Sequence, residues 1–365
     1  MSAKKINLNV NLMLSFIVFS MLLNSMSVII LQLSQNQQHS YTGLGMLEFF
    51  KDIPIALVSI FMVDYIKKRS YYSSLSIALI ICTLCSFTIP FVSEFWFLKI
   101  WFILIGISFS IGKICVFSII KNISDNEKDF SKTMSRTEAA FMLGVFIVNI
   151  EFAIILNSDY KDYWKFGFWL VGIISSWAAF QFYRIDKQNV FEIDKSQSKE
   201  VIDFRILFDY KSILFFTIVV IIVFTEQIFN SWLPTFYKHT LKADSFFALQ
   251  SSAFLALFSF IGRLLASKAV VKFSPMKIFF FCLISGIILT SSAYIIGQDT
   301  DVKVKILMFL FPMVGIFTAP LYPMLNSKYL SKFSERRVGK IVSIIILFTS
   351  LGGSIGSMST AYIFH

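Results

Sequence analysis

The residues best placed to do chemistry are ionisable side chains standing inside otherwise apolar stretches. Lys113 lies in GISFSIGKICVFS, with Phe109 and Phe117 one turn to either side on the same helical face. Glu226 lies in FTEQIFNSW, with Asn230 at i+4. Glu48, Lys51 and Asp52 cluster just before Pro54, and the i,i+3 spacing of Glu48 and Lys51 permits an intrahelical ion pair. A charge at the centre of a bilayer costs about 2.5–3.5 kcal/mol on insertion scales, so such groups face a protein interior or a wet cavity. A desolvated carboxylate can take up a proton near neutral pH, and a buried ammonium suits an anionic solute. Plainer readings stand beside these. Lys113 can snorkel to the surface about 12 Å away, Glu226 can serve a neighbouring helix as a hydrogen-bond partner, and the Glu48–Asp52 group can line a wet vestibule. Glu151 is expected in water near a helix end.

Uncharged polar residues repeat the pattern. Ser20, Asn24 and Ser27 share one helical face, as do Thr318, Tyr322 and Asn326, and each stripe can meet a solute or another helix. Pro320 and Pro323 break the helix that carries the second stripe, which is tolerated where freed carbonyls line a cavity or find new partners. Trp232 can stack on a sugar ring or anchor at a membrane interface. Gly352 and Gly356 form a G-x-x-x-G, the signature of close helix packing. Cys82 and Cys85 form a C-x-x-C without a His or Cys partner nearby in sequence and read as helix packing.

The elements that must position these residues are membrane helices. Of the 365 residues 56% are hydrophobic and only 15% charged, whereas a soluble domain needs roughly 25% to wet its surface. The mean hydropathy is +0.72. About 20 apolar residues cross the hydrocarbon core, and that ruler predicts spans at 9–33, 44–66, 72–92, 95–120, 134–157, 162–184, 212–237, 246–271, 276–297, 304–330 and 339–363. The fold class is therefore all-α, a polytopic bundle of about eleven transmembrane helices. The polar stretch 185–211 serves as a cytoplasmic linker between a six-helix half at 1–184 and a five-helix half at 212–365. Most of the basic residues, among them Lys4, Lys5, Lys67, Lys68, Arg69, Lys121, Lys128, Lys272, Lys277, Arg336 and Arg337, fall on one side of this topology, and the loop from Ser34 to Gly43 carries no charge. The N-terminus is therefore expected in the cytoplasm. The net charge of +11 sits in these short loops and not on a soluble basic module, so nucleic acid is not an expected partner.

The two halves echo each other. The second span of each runs into a short basic loop (SIFMVDYIKKR and FIGRLLASKAVVKF), and the fourth spans share a Gly-Ile start with a polar interruption. Parallel repeats of this kind build transporters whose solute site lies between the halves. At these residues the chain resembles the major facilitator superfamily, whose loop between helices two and three reads G-x-x-x-D-R-x-G-R-R. Asp64, Lys68 and Arg69 match the acid and the trailing cations, while both glycines and the first arginine are absent. The second half keeps Gly262 and Arg263, with Val271 in place of the acid. The stretch from Glu226 to Tyr237 is similar to the seventh helix of many members, especially sugar-permease-like branches. The resemblance implies that Asp64, Lys68, Arg69 and Arg263 make gating contacts and that Lys113 and Glu226 sit on cavity-lining helices. It also implies twelve helices, and the twelfth, an outer support in the family, is missing from the count here.

The expected function is secondary active transport of a small hydrophilic solute (a sugar, an organic anion or a similar metabolite) by alternating access, as import driven by a proton gradient. The solute or coupling set is Lys113, Glu226, Asn230, Asp52, Glu48, Asn24, Tyr322, Asn326 and Trp232. Alternatives are a drug or metabolite exporter, against which the absence of proline near Gly144 argues, and a receptor or inactive paralogue. The sequence has no metal-ligand spacing, phosphate-binding loop or nucleophile–His pairing, so neither an enzyme nor a cofactor is expected. The partners are a solute and the lipid bilayer, the location is the inner membrane, and the protein is expected to be a monomer.

Overall fold

The computed structural model describes residues 3–26, 28–29, 41–92, 94–156, 158–188, 209–239, 245–297 and 304–364, and among these every long element is a helix. The helices are α1 (Ala3–Asn24), α2 (Tyr41–Phe61), α3 (Val63–Arg69), α4 (Tyr71–Thr88), α5 (Phe95–Ile123), α6 (Glu127–Leu156), α7 (Phe168–Lys187), α8 (Tyr210–His239), α9 (Ser245–Ala269), α10 (Pro275–Gly297), α11 (Val304–Thr318), α12 (Leu321–Leu330) and α13 (Glu335–Phe364). Ten helical segments among the described residues are long and apolar enough to cross a bilayer. α2 spans 21 residues, about 31 Å at 1.5 Å per residue, but carries Glu48, Lys51 and Asp52. A membrane offers backbone groups no water, which is why this composition folds as helices whose hydrogen bonds close internally. Hydroxyls follow the same rule. Ser15 donates to the Leu12 carbonyl, Ser86 to that of Cys82 and Thr290 to that of Gly286, so each hides its polar atom against its own helix.

Helix breaks fall where local chemistry forces them. α11 ends at Thr318 and the chain resumes as α12 after Pro320, the site at which proline was expected to interrupt the span. Pro323 then occupies the first turn of α12, where a missing N–H costs nothing. Between α3 and α4, Ser70 takes φ 139°, and among the described residues no other non-glycine has positive φ. Its hydroxyl accepts from the Tyr72 amide and donates to Asp186 Oδ1 at 2.7 Å, which holds the turn against the end of α7.

The chain gathers into two compact units. Unit 1 comprises Met1–Ile123, Ile147–Ile202 and Glu335–Leu347; unit 2 comprises Ser124–Phe146, Asp203–Ser334 and Phe348–His365. Two helices, α6 and α13, each contribute to both. Within unit 1, α4 packs on α5 and α7, and α5 also packs on α2 and α1. Trp101 meets Phe168 edge-on at 5.5 Å and donates its indole N–H to the Cys85 carbonyl. Cys82 and Cys85 are buried free thiols. Within unit 2, α9 packs on α8 and α11, and α10 on α11 and α12. Phe215 stacks on Tyr329 at 3.7 Å, and the Tyr329 hydroxyl lies 2.7 Å from that of Ser212. Each such aromatic pair adds about 0.5–1.5 kcal/mol beyond burial. Gly352 and Gly356 do what their spacing promised. A Cβ at either would lie 2.7 or 2.8 Å from a backbone carbonyl of α8, at Val220 and Phe224, so only hydrogen fits there.

Candidate functional site

In unit 1, α5 carries Lys113 about 15 Å from its end at Ile123. The side chain is 8% exposed. Its ammonium lies over the rings of Phe109 and Phe117, at 5.6 and 5.8 Å from the centroids. α1 fixes both rings: Phe16 stacks on Phe117 and Phe19 meets Phe109 edge-on. The i±4 spacing therefore produces an aromatic bracket around a cation instead of a route to the surface. Two cation–π contacts of about 0.5–2 kcal/mol each offset part of the burial cost.

Asn24 of α1 donates its amide to the Ser20 carbonyl at 2.9 Å, and Ser20 donates to that of Ile17. These two hydroxyl and amide donors are directed along their own helix, and Ser27 lies outside the described residues. On α2, Lys51 pairs with Asp52 at 3.6 Å. The side chain of Glu48, and with it the expected Glu48–Lys51 pair, is outside the described residues. Asp64 on α3 pairs with Lys340 of α13 at 3.6 Å, the lysine buried and the acid 70% exposed. Arg69 donates to the hydroxyls of Tyr65 and Ser73, and Lys68 is exposed. Glu151 departs from expectation. It is half-buried, with Oε2 lacking a hydrogen-bond partner among the described residues. The 3-10 turn Lys161–Gly167 folds over it, with Trp164 on Phe152 and Gly167 beside the carboxylate, and so keeps water off.

In unit 2 the central feature is Arg263 of α9, only 2% exposed. A glycine precedes it, and a Cβ at Gly262 would collide with the backbone of Ile316 in α11. The close approach lets the guanidinium reach the helix break, where Nε donates to the Ala319 carbonyl at 3.0 Å. Nη1 donates to Glu138 of α6 twice, to the backbone carbonyl at 2.8 Å and to Oε2 at 3.0 Å. Nη2 donates to Glu226 Oε1 of α8 at 3.5 Å. Ser135 donates to the Arg263 carbonyl. Three helices, α6, α8 and α9, and the break after α11 thus meet at one side chain.

Sequence reasoning placed Arg263 and Glu226 but missed Glu138. The fifth span is expected from residue 134, which leaves Glu138 within a turn of its start, and no role is assigned to it. The helix begins at Glu127 instead, which carries Glu138 about 16 Å inward. Lys340 was missed for the same reason, since α13 begins at Glu335. So was the pair of Lys328 with Glu127, whose ammonium donates to both carboxylate oxygens at 3.0 and 3.2 Å.

Of the remaining candidates, Asn230 is exposed on α8 one turn beyond Glu226, and the Trp232 side chain lies outside the described residues. Tyr322 and Asn326 are buried on α12, and neither amide atom of Asn326 has a hydrogen-bond partner among the described residues.

A family model described as Major Facilitator Superfamily matches residues 8–357. No curated protein sequence matches the chain closely enough to count as a relative. Among solved structures, the E. coli fucose:proton symporter FucP aligns at a TM-score of 0.71 with 13% identity, covering 97% of this chain and 91% of that one. The proton:xylose symporter XylE, bound to 6-bromo-6-deoxy-D-glucose, aligns at 0.73 with 17% identity over 97% and 88%. At these identities the likeness is one of fold.

Proposed function

Since the chain belongs to the major facilitator superfamily, we propose that it is a secondary active transporter that imports a small hydrophilic solute by alternating access, driven by protons. The observation that carries this reading is the burial of a lysine in unit 1 and of an arginine with two carboxylates in unit 2, on helices otherwise built for lipid. Soluble-style stability does not explain them, because buried ion pairs barely repay their desolvation. Intramembrane ionisable groups mark solute and ion paths. The two named neighbours are proton symporters of sugars. The aromatic bracket of Lys113 supports a ring-shaped solute or one carrying a negative charge, which favours an organic anion or an acidic sugar.

Under this reading Lys113 contacts the solute, Glu226 takes part in coupling, and Asp64, Lys68, Arg69 and Arg263 make gating contacts. Asn24, Asp52, Glu48, Asn230, Trp232, Tyr322 and Asn326 stay in the candidate solute set. The same reading has the protein act in the cell membrane with its N-terminus inside, as a monomer, and the basic residues on one side of the topology support that orientation. Export is the second reading, and the proline-free fifth span, Phe141–Ile150, argues against it.

Proteoliposomes supplied with pooled radiolabelled sugars, amino acids and organic acids test the proposal. Accumulation under an inward proton gradient, lost in Glu226→Gln and in Lys113→Ala, is the expected result. Discharge of preloaded solute without accumulation would turn the reading to export, and no movement in either direction would end the transport reading.

A further inference from the structure

The turn between α9 and α10 in unit 2 has the composition of a membrane interface, not of a loop that faces water. α9 ends at Ala269 and α10 begins at Pro275. Both carry a segment long and apolar enough to cross a bilayer, so residues 270–274 stand at one membrane surface. Within this short turn Val271 and Phe273 are 53% and 54% exposed, to either side of an exposed Lys272. Two bare apolar side chains on a turn are unfavourable in water and favourable in lipid.

Three cations collect at the same place. Lys268 lies in the last turn of α9, Lys272 in the connecting turn and Lys277 in the first turn of α10, all exposed. A fourth, Lys128 of α6, donates from Nζ to the Val271 carbonyl at 3.3 Å. From Ser245 to Gln298 the chain has no Asp or Glu, and among the described residues Lys268, Lys272 and Lys277 make no ion pair. Two acids of the first turn of α6 are engaged, Glu127 with Lys328 and Asp129 with the Asp125 amide. One helical turn from Lys277 lie Phe280 and Phe281, and one turn from Lys268 lies Leu265, all exposed. The cations therefore cap an apolar face that belongs in hydrocarbon.

The corresponding turn of unit 1 is balanced instead. There Asp64 accompanies Lys68 and Arg69, and Ser70 binds Asp186. Membrane orientation by itself asks only for cations. It asks neither for the exclusion of acids nor for an exposed phenylalanine among the lysines.

We propose that the α9–α10 turn is a headgroup site for an anionic phospholipid. Lys268, Lys272 and Lys277 donate charge-assisted hydrogen bonds to the phosphate, while Val271 and Phe273 sit among the glycerol and upper acyl carbons. A free anion would use the lysines and leave both apolar side chains in water, whereas a lipid satisfies the two together. The site takes no part in solute binding and stands apart from the transport reading.

Native mass spectrometry of the detergent-solubilised full chain, titrated with dioleoyl phosphatidylglycerol or dioleoyl phosphatidylethanolamine, tests this. Phosphatidylglycerol should bind the more tightly, and its affinity should fall about fivefold for each lysine replaced in Lys268→Gln, Lys272→Gln and Lys277→Gln. Phe273→Ser keeps every charge and should weaken the same lipid. Arg184→Gln with Lys187→Gln is the control for general surface charge, since these two cations lie over Phe180 and Tyr183 of their own helix, and it should leave the preference intact. Equal affinity of the parent for the two lipids, a preference that survives the triple lysine substitution, an unchanged affinity in Phe273→Ser, or an equal loss in the control would overturn the proposal. So would displacement of the lipid by inorganic phosphate at constant ionic strength, which would assign the lysines to a free anion.

Discussion

One nitrogen of Arg263 donates to Glu138 twice, at 2.8 Å to the backbone carbonyl and at 3.0 Å to Oε2. The contact fixes α9 to α6 by main chain and side chain together, so its loss should be felt in stability before it is felt in transport. Removing one member of a buried ion pair costs about 3–5 kcal/mol because the other charge is stranded. Arg263→Met should therefore lower the detergent-solubilised Tm sharply. Arg263→Met with Glu138→Gln and Glu226→Gln, which removes the guanidinium and the two carboxylates it pairs with together, should recover most of the loss. Thermal melts of the single and triple variants check this, and additive losses would refute it.

Lys113 makes a different prediction. Lys113→Met keeps the volume and the packing of Phe109 and Phe117 while deleting the charge, and the two lost cation–π contacts should lower stability by about 1–4 kcal/mol. If the ammonium holds the solute through a charge-assisted hydrogen bond of about 1.5–3 kcal/mol, KM should rise about 10- to 100-fold. Uptake kinetics on whichever solute accumulates decide it. An unchanged KM would make Lys113 structural.

The α8–α13 contact should not tolerate a methyl group. Gly356→Ala places Cβ where the Phe224 carbonyl lies 2.8 Å away, and overpacking of this kind costs about 1–3 kcal/mol. Gly353, with nothing nearer than 3.9 Å, is the internal control, and Gly353→Ala should melt like the parent.

Ser70 carries both strain and two hydrogen bonds. A non-glycine at such a φ costs about 1–3 kcal/mol. Ser70→Ala keeps the strain and loses both bonds, so it should lower Tm, whereas Ser70→Gly loses the same bonds, relieves the strain and should fall closer to the parent. Equal melts for the two variants would show that the turn is not strained.

Asp64 and Lys340 pair with one partner largely in water, which limits the stability of the pair to under about 1 kcal/mol. A gating role predicts that Asp64→Asn changes the transport rate far more than Tm. The swap of Asp64→Lys with Lys340→Asp should restore part of the rate, and no restoration would count against the gate.

Much of this was legible in the residues. The apolar ruler located helix on each of the eleven expected stretches that the structure describes, and Pro320 marked its own break. What the ruler measures, however, is hydrocarbon and not helix. α6 starts at Glu127 with a polar turn sequence, EKDFSKTMSR, that no hydropathy window admits, and the added length of about 10 Å carries Glu138 from the first turn of the span to a buried position. Partnership was less legible still. Nothing in the spacing of Glu138, Glu226 and Arg263 along the chain says that three separate helices bring them to one point. Only the close approach at Gly262, invisible without the fold, explains how Arg263 reaches the others.

That glycine contact has a mechanical consequence. At Gly262 the backbone of α9 rests on that of α11 at Ile316, with no side chains between. A layer of side chains can shear by changing rotamers, but two backbones in direct contact have nothing to yield. α9 and α11 must therefore travel together as one strut, and the compliance of unit 2 has to reside beyond Thr318, at the joint where Arg263 holds the Ala319 carbonyl.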